Sequence, residues 1–363
     1  MKKALLILSL CLGAALAGCS SNTENTTDTG GLEYDTFENA MTELEGLSDV
    51  RLEKLTLAEG ITVNRPQQLV GMTLANRLPD AGTAKRLADA FVPGNSFKIN
   101  DAAALSEYLI REDIGRGGML SLEGYGFFGY GASGQDFQPQ YDPEGKVFLN
   151  AAGEKTSLAL KDGKLTLDRA VSLARETAAK YTDALGMEPL VPMIAKYNSS
   201  GFMIRFSPSL NGWLLPCQPV SAESSVNLEM LKSAVHHEYR SCVASAERAG
   251  MFSGDGCIYI QAEKPIEKTV TLSSALLYLD DSLAEWMHCT VRQISLVQIS
   301  TSRGGNVQDA SKLSEEELRA GLEGGYETSP AWQFSLTDSS REYIAYIDCQ
   351  SGEFAFGQLM TGA

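Results

Sequence analysis

Histidine is nearly missing from these 363 residues, with 3 in all, and tryptophan is as rare. No Cys-x-x-Cys pair occurs, which excludes the usual zinc-ribbon and thioredoxin-type spacings. No Gly-x-Ser-x-Gly occurs either, so the sequence offers no α/β-hydrolase nucleophile elbow. Cations are the minority charge: Lys and Arg number 30 against 46 Asp and Glu, a net charge of −16. A chain so acidic repels phosphate backbones, which argues against nucleic-acid binding and against broad adhesion to anionic headgroups. Beyond the first eighteen positions no apolar run approaches the length of a membrane-spanning helix.

What is present begins with the leader. Lys2 and Lys3 precede a nearly uninterrupted apolar run from Ala4 to Ala17. That run is short for a permanent span, which needs about 20 apolar residues, but fits a secretory h-region with its lysines on the cytoplasmic side. Leu16-Ala17-Gly18-Cys19, followed by Ser20-Ser21, resembles the bacterial lipoprotein signal, the lipobox. The resemblance implies cleavage before Cys19, diacylglyceryl attachment to its sulfur and acylation of the new amino terminus. Two acyl chains suffice for stable anchoring. The expectation is therefore a signal peptide over 1–18, a flexible tether over 19–31 and a globule held at the extracytoplasmic face of the cell membrane. The tether SSNTENTTDTGG is too polar and too small to bury a core.

Of the 7 cysteines, Cys11 leaves with the leader and Cys19 takes the lipid. Cys217, Cys242, Cys257, Cys289 and Cys349 remain, and an odd number cannot all pair within one chain. Small buried thiols are expected, with one or two disulfides as the open alternative.

Hydrophobic spacing predicts α+β architecture in three parts: an N-terminal α+β domain over 32–160, and two helix-plus-antiparallel-sheet modules over 161–265 and 266–363. In the first part, Ala102 to Glu112 has helical spacing, and Lys146 to Leu160 reads as a hairpin. From Leu165 the pattern sharpens. Thr166 is a candidate N-cap, and Leu167, Ala170, Val171, Ala174, Ala178 and Tyr181 follow the helical period until Gly186 and Pro189. Strand-like runs VPMIAKY and GFMIRF follow, then an Asn211-Gly212 turn and WLLP. Leu228, Leu231, Val235, Tyr239, Cys242 and Ala246 suggest another helix. About 105 residues after Thr166-Leu167, the phrase returns as Thr271-Leu272, again opening a helix and leading into strands. The final strands are read at Val291 to Thr301, Trp332 to Leu336, Tyr343 to Asp348 and Phe354 to Phe356.

Ser329-Pro-Ala-Trp332-Gln-Phe, Tyr343-Ile-Ala-Tyr-Ile-Asp348 and Ser351-Gly-Glu353 together resemble the end of a PepSY-type module. Leu165-Thr-Leu-Asp-Arg-Ala-Val171 resembles the opening of that module's helix. Residues 200–360 are also similar to the C-terminal halves of uncharacterised Gram-positive lipoproteins, and more faintly to YycI-type regulators of sensor kinases. The pieces carrying that likeness are Asn211-Gly212, Lys264-Pro265-Ile266-Glu267, Ile294-Ser-Leu-Val297 and Pro330-Ala-Trp-Gln-Phe334. The resemblance implies binding or inhibitory units, not catalysts.

Candidate chemistry is thin. Gly124-Tyr-Gly-Phe-Phe-Gly129 and Gly129-Tyr-Gly-Ala-Ser-Gly134 match Gly-x-Gly-x-x-Gly, but a dinucleotide site needs a helix to open there, and Gln135-Asp-Phe-Gln-Pro139 opens none. A glycine-aromatic strand or binding loop is expected instead, with Tyr125, Phe127, Phe128 and Tyr130 free to stack on sugar rings or peptide side chains. His236-His237-Glu238 places its histidines about 100° apart on any helix, so one ion cannot take both. No metal and no cofactor are expected. His288-Cys289 would need side chains that face each other to make an activated thiolate. Asp280-Asp281 and Glu315-Glu316-Glu317 read as solvated helix faces. Trp332, Tyr343 and Tyr346 alternate with polar residues and read as core.

The functional expectation is a lipid-anchored binding or regulatory protein without catalysis, touching a protein partner at the outer membrane face. Two alternatives stay open: a solute- or glycan-binding lipoprotein, and a cell-envelope hydrolase using carboxylates brought together in space.

Overall fold

The computed structural model describes residues 31–42, 50–115, 118–132, 143–149, 156–160, 163–216, 222–227, 230–231, 237–300 and 314–359. The leader, Cys19, most of the tether, Cys217 and His236 lie outside them. Strand takes 45 % of the described residues and helix 21 %. This overturns the expected α+β modules: the protein is mostly β, with five helices among the described residues. The difference is physical. Helices do open after Thr166 and Thr271, but each sheet then grows by recruiting strands far away in sequence, which local spacing does not reveal.

The helices are α1 (Phe37–Thr42), α2 (Ala81–Phe91), α3 (Leu167–Leu185), α4 (Leu272–Ser282) and α5 (Glu315–Gly324). In α3 the Thr166 hydroxyl accepts the Arg169 N–H at 3.3 Å. Gly186 ends the helix in the left-handed region at φ 66°, which a Cβ would disfavour. In α4, Thr271 plays the same capping part toward Ser274. α5 opens with a reciprocal capping box between Ser314 and Glu317, so its acidic first turn is solvated and complements the helix dipole.

An eight-stranded antiparallel sheet runs in the order Tyr108–Gly115, Gly118–Glu123, Phe128–Gly131, Met251–Gly254, Tyr239–Val243, Gly201–Ser207, Val191–Asn198, Gly145–Phe148. α2 and α3 cover one face. Leu87, Phe91, Leu173 and Tyr181 pack there on Leu122, Phe128, Phe202, Phe206 and Phe252. A ten-stranded sheet is centred on Cys289–Ser300, Tyr326–Thr337 and Glu342–Asp348. α4 covers it, with Leu272, Leu276 and Leu279 packed on Ile294, Trp332 and Phe334. Val70–Arg77 enters this sheet between Cys257–Pro265 and the start of Tyr326–Thr337. The uncovered faces of the two sheets meet along a third cluster, in which Met193 and Ile194 pack against Val297, Ala331, Ile344 and Tyr346.

Three local expectations fail. Ala102 to Glu112 is not helical: Tyr108–Gly115 is an edge strand paired with Gly118–Glu123. Its apolar spacing fits both periods, and tertiary pairing of β-favouring Tyr108, Ile110 and Ile114 decides. The Lys146 to Leu160 hairpin does not form. Gly145–Phe148 pairs instead with Val191–Asn198, and Ser157–Leu160 pairs with Gly163–Thr166. Tyr239–Val243 is a strand, not part of a helix, because Tyr239 and Val243 share the covered face with Ser241 between them. The Asn211-Gly212 turn is present. Asn211 and Gly212 both take positive φ, and a Cβ on Gly212 would lie 3.0 Å from Pro66 Cα.

Candidate functional site

Alternation along four neighbouring strands of the eight-stranded sheet builds the site. Val147, Ala195, Phe202, Ile204, Tyr239 and Val243 face the helices. Their neighbours Lys146, Lys196, Arg205 and Arg240 therefore face the other way, toward the ten-stranded sheet. Register sets Lys196 directly across from Lys146, and Arg205 directly across from Arg240. Like charges placed opposite each other weaken a sheet. Two such cationic pairs, offset by two residues along the strands on one face of a chain of net charge −16, are thus an arrangement that sheet stability does not explain.

Two carboxylates lie against these cations. Glu238 Oε1 lies 3.2 Å from Arg240 and 3.9 Å from Arg205. Glu342 reaches across from the ten-stranded sheet to Lys146 Nζ at 2.6 Å. Both carboxylates are about two-fifths exposed, whereas the Arg205 side chain is 10 % exposed. Burial, with the charges of Arg205 and Lys146 adding, pushes the Lys196 ammonium down to about 8, although Glu342 and Glu238 hold it up in part. Arg240 Nε donates to Ser253 Oγ at 3.0 Å. Arg205 Nε has no acceptor. On the ten-stranded sheet Gln293, fully buried, has a side-chain NH₂ with no acceptor, while its oxygen is only distantly engaged by the Ser335 hydroxyl at 3.5 Å. Ile194, the cross-strand partner of Arg205, packs on Val297, Ala331 and Ile344, so the two orphaned donors belong to faces that meet.

Asp255 sits behind the row, where it accepts the backbone N–H of Glu238. Burial raises its carboxyl to about 6. The Glu238 charge adds to the rise, and the Glu238 N–H and Arg240 oppose it. A raised acid carries a stability consequence. Between the ordinary 3.8 and about 6 the folded chain keeps a proton that the unfolded chain has released. Stability is therefore full below pH 4 and is lost as pH rises toward 6, by at most about 3 kcal/mol. Asp255→Asn keeps an oxygen for the Glu238 N–H and is expected to remove that loss. Denaturation from pH 4 to 7 should show the variant gaining on the native chain as pH rises, and parallel curves would contradict the assignment.

The sequence-predicted residues land elsewhere. Gly124 to Phe127 form the turn between Gly118–Glu123 and Phe128–Gly131, so the glycine motif opens a hairpin strand and not a helix. Phe128 is in the core, with its ring centroid 4.8 Å from Phe91 and 5.5 Å from Tyr181. Tyr130 packs on Phe91 at 5.0 Å. Tyr125 and Phe127 are half-buried in the turn, and burial together with Glu123 holds the Tyr125 phenol far above its ordinary range. The four aromatics therefore do not form one surface. His237 is buried, with Nε2 3.0 Å from the Tyr326 hydroxyl. Among the described residues no group of three potential metal ligands converges. His288 is exposed while Cys289 is buried, and burial, with Asp338 adding, holds that thiol up near 11. Cys242 is pushed up to about 12, again by burial, and Cys257 and Cys349 are raised for the same reason. All four are free.

Sequence reasoning missed Lys146, Lys196, Arg205, Arg240 and Gln293. The available signal was a lone cation inside an apolar strand, most clearly in Gly201–Ser207, where all seven residues are buried and Arg205 is the one charge.

The chain matches no protein-family model, and no curated protein matches it. Two solved structures are similar in shape. One is an uncharacterized protein from Eubacterium rectale ATCC 33656, with TM-score 0.49 and 11 % identity, covering 88 % of this chain and 98 % of that one. Another is the YpeB C-terminal domain from Bacillus megaterium, with TM-score 0.34 and 12 % identity, covering 78 % and 100 % respectively.

Proposed function

We propose that this chain is a lipid-anchored extracytoplasmic binding protein that acts on a protein partner at the outer face of the membrane, by contact and not by catalysis. The anchor rests on the lysine-led apolar leader and Leu16-Ala17-Gly18-Cys19. The binding reading is carried by Lys146, Lys196, Arg205 and Arg240, four cations gathered on one sheet face of an acidic chain, of which Arg205 keeps an Nε–H with no acceptor. Recognition uses such fixed, donor-rich surfaces, whereas nucleophilic catalysis needs a deprotonated group, and burial holds the four free thiols protonated. The PepSY-like phrases around Trp332, Tyr343 and Gly352 agree with a binding or inhibitory role.

The anchor gives the first test. Membranes bearing the full chain, washed with high salt, should retain it in the pellet, and Cys19→Ala should move it to the supernatant. A Cys19→Ala chain that stays in the pellet overturns the anchor. Hydrolytic activity in the purified chain overturns the non-catalytic part.

A further inference from the structure

Five large apolar side chains stand exposed among the described residues, and three of them gather around one helix. Leu277 lies on α4 and is 45 % exposed, and Trp286, just past its end, is 69 % exposed. Tyr34 lies on Tyr34–Thr36, the strand paired with Lys268–Val270 ahead of the helix. Helical spacing explains Leu277. Leu272, Leu276, Leu279 and Leu283 pack toward the ten-stranded sheet, which leaves Ser273, Leu277 and Asp281, four residues apart, on the far side. Past the helix, the Leu283 N–H donates to the Asp280 carbonyl at 3.3 Å and the Met287 N–H to the Ala284 carbonyl at 2.8 Å. Leu283 and Met287 are buried by these turns, and Trp286 between them is not.

Indole left in water forgoes apolar burial, and the headgroup region of a bilayer is where tryptophan recovers it. The path of the chain is what brings lipid to this face. Glu33 is tied to the start of α4 twice: its N–H donates to Ser274 Oγ at 2.7 Å, and its carbonyl accepts the Thr271 N–H at 3.0 Å. Tyr34 is fifteen positions beyond Cys19, a stretch that spans at most about 54 Å, and α4 is itself about 16 Å long. An acylated Cys19 therefore keeps Leu277 and Trp286 within reach of the bilayer, at an effective concentration where a weak contact suffices. The attraction is apolar. Glu285 sits 3.5 Å from Lys54 and Asp281 is exposed, so the charges beside the two residues offer anionic lipid nothing.

We propose that the outer side of α4, through Leu277 and Trp286, rests on the headgroup region of the membrane that holds the anchor. The inference rests on the reading of the chain as lipid-anchored and names the surface that meets the lipid.

Tryptophan emission tests it, because Trp213 and Trp332 are completely buried and Trp286 is the exposed one of the 3. The full acylated chain, extracted in detergent, is placed in phosphatidylcholine vesicles whose acyl chains carry bromine. Emission is expected to fall and its maximum to shift to shorter wavelength, relative to Cys19→Ala in solution. Trp286→Phe should abolish the response to bromine. Leu277→Glu, at an exposed helical position where folding is not at stake, should reverse the quenching with the chain still in the vesicle pellet. Added phosphatidylglycerol should not strengthen it. Unquenched emission from a pelleted chain overturns the contact and leaves the anchor standing, whereas a chain that does not pellet overturns both. Quenching that survives Leu277→Glu, or that needs anionic lipid, also overturns the contact as drawn. Trp286 left unquenched in vesicles but shielded from acrylamide in native membranes would give this face to a protein instead, and overturn the lipid contact.

Discussion

Trp332→Ala is expected to destabilise the fold by about 4 kcal/mol, the range for a large aromatic truncated in a core. Trp332 lies on the middle strand of the ten-stranded sheet and is completely buried beneath α4, among Ile294, Phe334 and Leu276. Its indole N–H donates to the Val270 carbonyl at 2.9 Å, which ties the sheet to the segment that caps α4. Truncation removes the packing and that bond together, and the surrounding β-branched and aromatic residues, held by two flanking strands, cannot collapse into the void. Trp332→Phe keeps most of the apolar contact and loses the donor, so a cost of about 1–2 kcal/mol is expected from the broken hydrogen bond and the residual space. Chemical denaturation of both variants checks this. A cost for Trp332→Ala below about 1.5 kcal/mol would mean the residue is not the core element described.

Asp280→Ala should be comparably severe, at about 3–5 kcal/mol, because it strands three backbone donors at once. The Asp280 carboxylate accepts the N–H groups of Glu53, Lys54 and Leu55 at 2.8, 2.9 and 2.7 Å. It is buried at the last turn of α4 and thereby splices Leu55–Leu57 onto the ten-stranded sheet beside Cys289. Without the carboxylate the segment has two choices: keep orphaned donors buried, or leave the sheet for water. Amide exchange of Lys54 to Leu57 reports the second, and loss of protection there ahead of the rest of the sheet is expected. Asp280→Asn, with one acceptor oxygen left, should fall between. Unchanged protection and a cost under 1 kcal/mol would contradict the splice.

Asp280 also shows how far the sequence could be read. Asp280-Asp281 has the appearance of a solvated charge run, and Asp281 is indeed exposed. Nothing local distinguishes its neighbour, whose partners are more than 220 residues away. The helices opening at Thr166 and Thr271 were legible because cap, spacing and stop signal all lie within one short window. The strands around Trp332 and Tyr346 were legible because alternation marks a face. Strand partners were not. Gly145–Phe148 finds its partner at Val191–Asn198, and the cation row exists only through the register that sets Lys196 against Lys146 and Arg205 against Arg240. In sequence each of those cations reads as an ordinary polar interruption. The aromatics of Tyr125 to Tyr130 misled for the converse reason: an aromatic run beside glycines looks like an exposed loop until α2 and α3 are seen to cover Phe128.

The placement of Val70–Arg77 bears on synthesis. Its first sheet partner, Cys257–Pro265, is made about 190 residues later, a delay on the order of 20 s at ordinary elongation rates. Until then a strand rich in apolar residues has both edges open to any other chain nearby. The chain is thus most open to misassociation in the interval before Cys257–Pro265 and Tyr326–Thr337 arrive to close the two edges of Val70–Arg77.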